Sequence, residues 1–385
     1  MSLGVESHVA AVFSANPYRF VLESNESSST DENAVHLRLH YLAEGNANII
    51  FFVAKSPKSQ PSLELSFLEN KLLRIPKFPS GSTRALSAQS MQDFKSGETV
   101  NQETVVIEAQ LLQRLHDHIN HASNRWMRSG RSGSIWDSSL RMNTYVSGLL
   151  IEDMRPKSSE GQATLHFKPK WLAQSPNAPS KARRCRTCAL QALQGLNRTT
   201  YHCPLALATG EVDYVRQQVT GIMNAQMSTF SDQWIHYFTH CLCYGTGHVM
   251  IQRLKSLQEQ LDLVGVLRTM ERGKMSSQAF GQEEINGLAK AMTLRDCSLY
   301  VRITPLKNTR KLNGVDDVRF EVRLGDLDEK LPENIDDTEA IQRKLDKWAT
   351  AERKLIESGY YLGTEELELG QERHKSCFLW NDSAI

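Results

Sequence analysis

The chain has 385 residues, 40% apolar and 23% charged, with 45 Lys and Arg against 44 Asp and Glu. That is enough chain for two domains and enough apolar content for a sizeable core. A net charge of +1 excludes polyanion binding through overall charge, so any such partner must be met by a local cluster. No apolar run reaches the length of a membrane span. The short stretch from Val9 to Phe13 has no basic region before it, which argues against a secretory leader. Seven cysteines, an odd number scattered along the chain, point to a reducing compartment rather than a disulfide framework.

Tyr18 to Leu22 and Val35 to Tyr41 have strand character, with the polar stretch from Ser24 to Asn33 between them. Tyr41 to Val53 reads as strand, tight turn, strand. Gly45 and Ala47 are small enough to let backbone approach a phosphate, although a plain hairpin turn is the default for this pattern. Leu63 to Leu68 and Lys71 to Ile75 predict two more strands, with Lys71 facing either nucleotide phosphates or solvent. Residues 78–102 read as a loop. A helix is expected from about Glu103 to Ile119, capped by Asn101, with Val105, Ile107, Leu111, Leu112, Leu115 and Ile119 on its apolar face. Tyr145 to Ile151 is an apolar strand, ended by Glu152-Asp-Met-Arg-Pro156. The domain boundary is placed here, giving 1–154 and 155–385. Strands dominate before it and helices after it, an α+β layout like that of a nucleotide kinase.

The second part opens on Lys168-Pro-Lys170. From Gly161 to Gly210 there are seven Lys or Arg and no Asp or Glu. Such a cluster suits a multiply phosphorylated small molecule, a nucleic-acid backbone, a nuclear-import run at 181–186, or a merely solvated face. The lack of interleaved aromatics disfavours nucleic acid. Cys185-x-x-Cys188 with His202-Cys203 resembles half a zinc site, and His236, His240, Cys241, Cys243 and His248 form a second patch. Neither has full paired spacing, so buried free thiols are the default and structural zinc the lesser reading. Helices are expected over 214–227, 248–272, 282–293 and 337–358. Between the last two, Leu299, Val301 and Ile303 alternate with polar residues, as do Val318, Phe320, Val322 and Leu324. This predicts a β-hairpin. Antiparallel pairing would put Asp296 and Asp326 at the same end. They are either ordinary loop carboxylates or a pair suited to phosphoryl transfer, one taking the proton of an attacking hydroxyl and the other holding Mg²⁺.

Several stretches taken together resemble the inositol-pentakisphosphate 2-kinases of filamentous fungi. They are Glu44-Gly-Asn-Ala-Asn48, Lys71-Leu-Leu-Arg74, Lys168-Pro-Lys170-Trp, Arg184-Cys-Arg-Thr-Cys188, Arg295-Asp-Cys-Ser298 and Asp326-Leu-Asp-Glu-Lys330. The resemblance implies a two-lobed, protein-kinase-like fold that transfers the ATP γ-phosphate to the 2-hydroxyl of inositol 1,3,4,5,6-pentakisphosphate. It implies that Gly45, Asn46, Ala47, Asn48 and Lys71 meet ATP phosphates and that the hinge from Glu152 to Met154 meets adenine. Asp296 would be the base and Asp326 the Mg²⁺ ligand. Lys168, Lys170, Arg186 and Lys330, with Arg141 and Arg198, would clamp inositol phosphates. The chain departs from the family at His166, usually acidic, and at Leu190, often His. The expected protein is a nuclear or cytoplasmic monomer with a small-molecule acceptor and no membrane attachment. The competing reading is a non-catalytic scaffold that binds inositol phosphates or nucleic acid through residues 168–186.

Overall fold

A computed structural model describes residues 9–15, 18–22, 35–44, 48–56, 68, 70–76, 94–95, 97–123, 145–195, 202–226, 230–275, 282–306, 317–330, 338–363 and 377–382. The chain is α+β and divides into two compact units: Met1–Thr83 with Val100–Asp153, and Arg84–Thr99 with Met154–Ile385.

In the first unit the described elements are β1 (Val9–Ala15), β2 (Tyr18–Leu22), β3 (Val35–Glu44), β4 (Asn48–Lys55), β5 (Lys71–Pro76), β6 (Gln102–Glu108), α1 (Ala109–Ser123) and β7 (Tyr145–Glu152). The strands close into a barrel in the order β1-β2-β6-β7-β5-β4-β3. All pairs are antiparallel except β2 with β6. The helix expected from Glu103 begins only at Ala109. Thr104, Val105, Val106 and Ile107 are a β-branched run, and such side chains pack better on a pleated surface than on a helix. Val105 and Ile107 are fully buried and pair with Gly148 and Val146 of β7. Gly148 is required there, since a Cβ would stand 2.5 Å from Ile107 Cδ1 and 3.2 Å from the Arg74 carbonyl. Leu111, Leu112, Leu115 and Ile119 then recur at helical spacing and join the barrel core with Phe20, Phe51 and Leu73. Of the strand expected over 63–68, all but Leu68 lies outside the described residues.

The second unit holds β8 (Ala163–Phe167), α2 (Arg186–Leu193), α3 (Pro204–Thr209), α4 (Val212–Gln226), α5 (Asp232–Tyr244), α6 (Thr246–Leu261), α7 (Gly265–Met275), α8 (Gln282–Asp296), β9 (Ser298–Pro305), β10 (Val318–Gly325), α9 (Thr338–Glu357) and α10 (Phe378–Asp382). Its sheet has the order β10-β9-β8 and is antiparallel throughout. Leu299, Val301 and Ile303 of the central strand are fully buried, within one core that includes Val215, Phe238 and Leu254 of α4, α5 and α6. The helix expected across 248–272 is split in two. Asp262 leaves it at φ −135° and its Oδ1 accepts from the Gly265 N–H at 2.9 Å. Gly265 takes φ +79°, where a Cβ would also collide with the Asn177 amide. Among the described residues no helix is long and apolar enough to cross a membrane.

Candidate active site

The end of β8, the start of β9 and the end of β10 lie on one side of the second sheet. β8 hands the chain to Lys168, Pro169 and Lys170, α8 runs into Asp296 just before β9, and β10 is followed by Asp326. The register pairs Phe167 with Leu299, Leu299 with Leu324 and Ser298 with Gly325. Antiparallel pairing therefore brings Lys168, Asp296 and Asp326 together. Lys168 Nζ lies 2.7 Å from Asp326 Oδ2 and 3.3 Å from Asp296 Oδ1. Lys170 Nζ is 3.0 Å from the same Asp296 oxygen, and Lys330 Nζ is 2.9 Å from the other. Burial pushes the Asp296 carboxyl up, but Lys170, Lys330 and Lys168 outweigh it and hold the group well below the usual carboxylate range. Burial pulls Lys168 down, and its contacts with Asp326 and Asp296 more than reverse this.

Two of these residues sit in left-handed backbone, Lys170 at φ +59° and Asp326 at φ +55°. Aspartate tolerates this region, whereas a lysine there costs on the order of 1–3 kcal/mol and must be held by its surroundings. Gln258 of α6, fully buried, does the holding. Its Nε2 donates to the Lys170 carbonyl at 2.9 Å and its Oε1 accepts from the Leu172 N–H at 3.0 Å. His202 Nε2 stands 3.2 Å from the Lys168 carbonyl, and burial keeps the ring's pKa below its ordinary value. A neutral ring with its proton on Nε2 is the tautomer that can donate there.

Next to Asp296 opens a basin of about 490 Å³, lined in part by Lys170, Trp171, Arg186, Arg295, Lys330 and Lys344. Trp171 has the Arg186 Cζ 4.4 Å and the Arg295 Cζ 3.5 Å from its ring centroid. Behind them are two buried carboxylates, with Glu352 Oε2 2.8 Å from Arg186 Nε and Asp262 Oδ2 2.6 Å from Arg295 Nη1. Burial, then Lys330 and Lys347, lower the pKa of Lys344. The run 181–186 is not uniformly a surface patch, because Arg184 is buried and donates to the Tyr360 carbonyl.

In the first unit, Lys71 opens β5 opposite Glu152 of β7, with its Nζ 3.4 Å from Glu103 Oε1. Asn48 faces Arg74, accepting from Nη2 at 2.8 Å and Nε at 3.2 Å in the amide orientation that satisfies both groups. The Glu152 N–H donates to the Asn101 carbonyl at 2.9 Å. Met154, in the second unit, is buried. Gly45, Asn46, Ala47, Arg141 and Arg198 lie outside the described residues.

The cysteines gather differently from the sequence pattern. Cys185, Cys188 and Cys203 are joined by Cys377 rather than by His202, and the four buried sulfurs all lie within 4.8 Å of one another. Cys203 and Cys377 stand 3.9 Å apart, far beyond a disulfide bond of about 2.05 Å. Thiol hydrogen bonds from Cys185, Cys188 and Cys377 draw the Cys203 thiol well below its usual range, while burial raises Cys185 and Cys188. The second His/Cys patch, on α5 and α6, forms no such group among the described residues.

Trp171 and Arg295 stand inside stretches that carry the family resemblance but are given no role by it, and sequence patterns do not single out Lys344, Gln258, Glu352 or Cys377. Lys344 and Trp348, four apart on α9, both line the basin, so their spacing is the available signal. The others act through partners far away in the chain.

A basin walled by lysine and arginine, with an ionised carboxylate at its edge, is chemically suited to a multiply charged anion. The chain belongs to the inositol-pentakisphosphate 2-kinase family, whose model matches residues 41–344. A relative from Yarrowia lipolytica named inositol-pentakisphosphate 2-kinase is 26% identical over 231 residues. The match covers 56% of this chain and 65% of that relative's length, just under two thirds.

Proposed function

We propose that the protein transfers the γ-phosphate of ATP to the 2-hydroxyl of inositol 1,3,4,5,6-pentakisphosphate, giving the hexakisphosphate. The reading rests on family membership and on one observation: Lys168 touches both Asp296 and Asp326 at the edge of a basic basin. In this reading the fold is protein-kinase-like, the first unit holds ATP through Asn48 and Lys71, and the second holds the inositol phosphate.

Lys168, Lys170, Lys330 and Arg186 would pair with the acceptor's phosphates and offset its repulsion from ATP. The 2-hydroxyl oxygen forms a bond to the γ-phosphorus as the bond to the β–γ bridging oxygen breaks. ADP leaves with that electron pair, and the hydroxyl proton passes to Asp296. With three lysines upon it, Asp296 is a poor proton acceptor. Phosphates that draw those lysines away raise its basicity, so the acceptor itself readies the base. Asp326 offers hard oxygen donors and would hold Mg²⁺, which when bound neutralises phosphate charge.

The four-cysteine group fits a structural zinc. Zinc–sulfur bonds of about 2.3 Å in a tetrahedron set sulfurs about 3.8 Å apart, close to the 3.9 Å between Cys203 and Cys377. Elemental analysis of the purified protein should find one zinc per chain, lost in Cys203→Ser and Cys377→Ser. Zinc-free wild-type protein would leave these residues as packed thiols.

The decisive assay supplies ATP, Mg²⁺ and inositol pentakisphosphate and identifies the product. Phosphorylation at the 2-position that disappears in Asp296→Ala supports the kinase. Tight binding without turnover would make the protein a scaffold instead.

A further inference from the structure

We propose that Glu352 is a positioning residue, which aims the Arg186 guanidinium into the basin and so sets the affinity for the polyphosphate. The proposal rests on the reading of that basin as an inositol phosphate site.

Glu352 lies on α9 and is 1% exposed. Its Oε1 accepts from Ser175 Oγ and from the Tyr361 hydroxyl, each at 2.6 Å, and its Oε2 accepts from Arg186 Nε at 2.8 Å. Burying a carboxylate costs several kcal/mol before its contacts repay it, and an apolar residue often packs as stably. The acid therefore calls for a reason beyond stability, and the geometry of Arg186 supplies one. Its Nε is taken by Glu352, and its plane is set beside the Trp171 ring. Among the described residues no acceptor meets either Nη nitrogen, although the side chain lines the basin. The two Nη groups form the end of the guanidinium fork, which matches two oxygens of one phosphate. Arg186 is thus fixed at its base and open at its tip. Ser175 and Tyr361 fix the carboxylate in turn, so little side-chain freedom remains to be lost when an anion arrives.

The test is calorimetric binding of inositol pentakisphosphate without ATP, at fixed ionic strength. Glu352→Gln keeps the volume and a weaker acceptor. It should bind about tenfold more weakly, the scale of one charge-assisted hydrogen bond. In turnover the KM for the inositol phosphate should rise by the same factor while the KM for ATP stays. Arg186→Met should also bind weakly, and adding Glu352→Gln to it should cost nothing more, because the glutamate acts through the arginine. Tyr361→Phe removes a different donor from the same carboxylate. It should lower the melting temperature and weaken affinity by much less than Glu352→Gln, because the carboxylate keeps its charge and its bond to Arg186. Additive losses in the double variant, or equal weakening by Tyr361→Phe, would show general loosening and overturn the proposal. Wild-type binding that Glu352→Gln does not alter overturns this proposal alone. A wild-type protein that binds no inositol pentakisphosphate overturns the reading of the basin and this inference with it.

Discussion

The two sides of the basin present positive charge in opposite ways. On one side Lys170 and Lys330, with Lys168 beyond the edge, already rest on Asp296 and Asp326. A phosphate bound there as proposed would have to take them from those carboxylates, so it would gain only the difference between two ion pairs. On the other side Arg186 is anchored by a buried acid and an indole, and its side chain lines the basin. A phosphate there would gain the full contact. Residue chemistry matches each side's role. Lysine, a compact charge on a flexible stem, suits a place where partners would change, and planar arginine suits one where direction would not.

The largest expected effect is on the lysine side. Asp296→Asn removes the proposed proton acceptor and should cut turnover by about 10²–10⁴-fold. It also releases Lys170 and Lys330, while Lys168 keeps Asp326, so calorimetry should show inositol pentakisphosphate binding more tightly than to wild type. Weaker binding would mean that the lysines are not competing for the carboxylate. Next, Lys168→Met takes the shared counter-ion from both acids and should lower turnover by about 10²-fold, the scale for losing one donor to a developing charge. On the arginine side, Arg186→Lys keeps the charge but loses the fork and the stacking. Binding should fall roughly tenfold, which a titration can resolve. Gln258→Leu should reduce stability by about 2 kcal/mol in urea unfolding, because the Lys170 carbonyl and the Leu172 N–H lose a buried partner. The smallest effect is with acid. The folded-state pKa of Asp296 lies below its unfolded value, so its stabilising contribution is complete above about pH 4 and fades as pH falls through the lower value. A urea series from pH 5 to pH 2 should show wild type losing slightly more stability than Asp296→Asn. The difference stays small because the group is 39% exposed and screened.

The meeting of Asp296 and Asp326 is legible in the sequence because period-two alternation fixes both strands, and pairing then dictates which ends meet. The residues that brace the basin's side chains are not. Glu352 meets Arg186 across 166 residues and Gln258 meets Lys170 across 88, and no local pattern marks such partners. In the fold, the segment from Glu103 to Glu108 misleads because Val105 and Ile107 also fit a helical stripe with Leu111 and Leu115. Two-residue and four-residue spacings coincide over so short a run. The break between α6 and α7 is hidden for a related reason. The apolar positions continue in helical phase across it, and only the small signal of Asp262 and Gly265 marks the stop.

The four thiols carry a consequence for the order of assembly. Cys185, Cys188 and Cys203 emerge together during synthesis, but Cys377 follows 174 residues after Cys203. Their group cannot close until that much more chain has been made, so the helix bearing Arg186 waits for its last neighbour. A metal bridging that interval would remove roughly 5 kcal/mol of chain entropy from the unfolded protein, by the same arithmetic as a covalent cross-link. The late cysteine would then act less as a packing residue than as a clasp, fastening the newly made helix α2 only once the C-terminal segment has arrived.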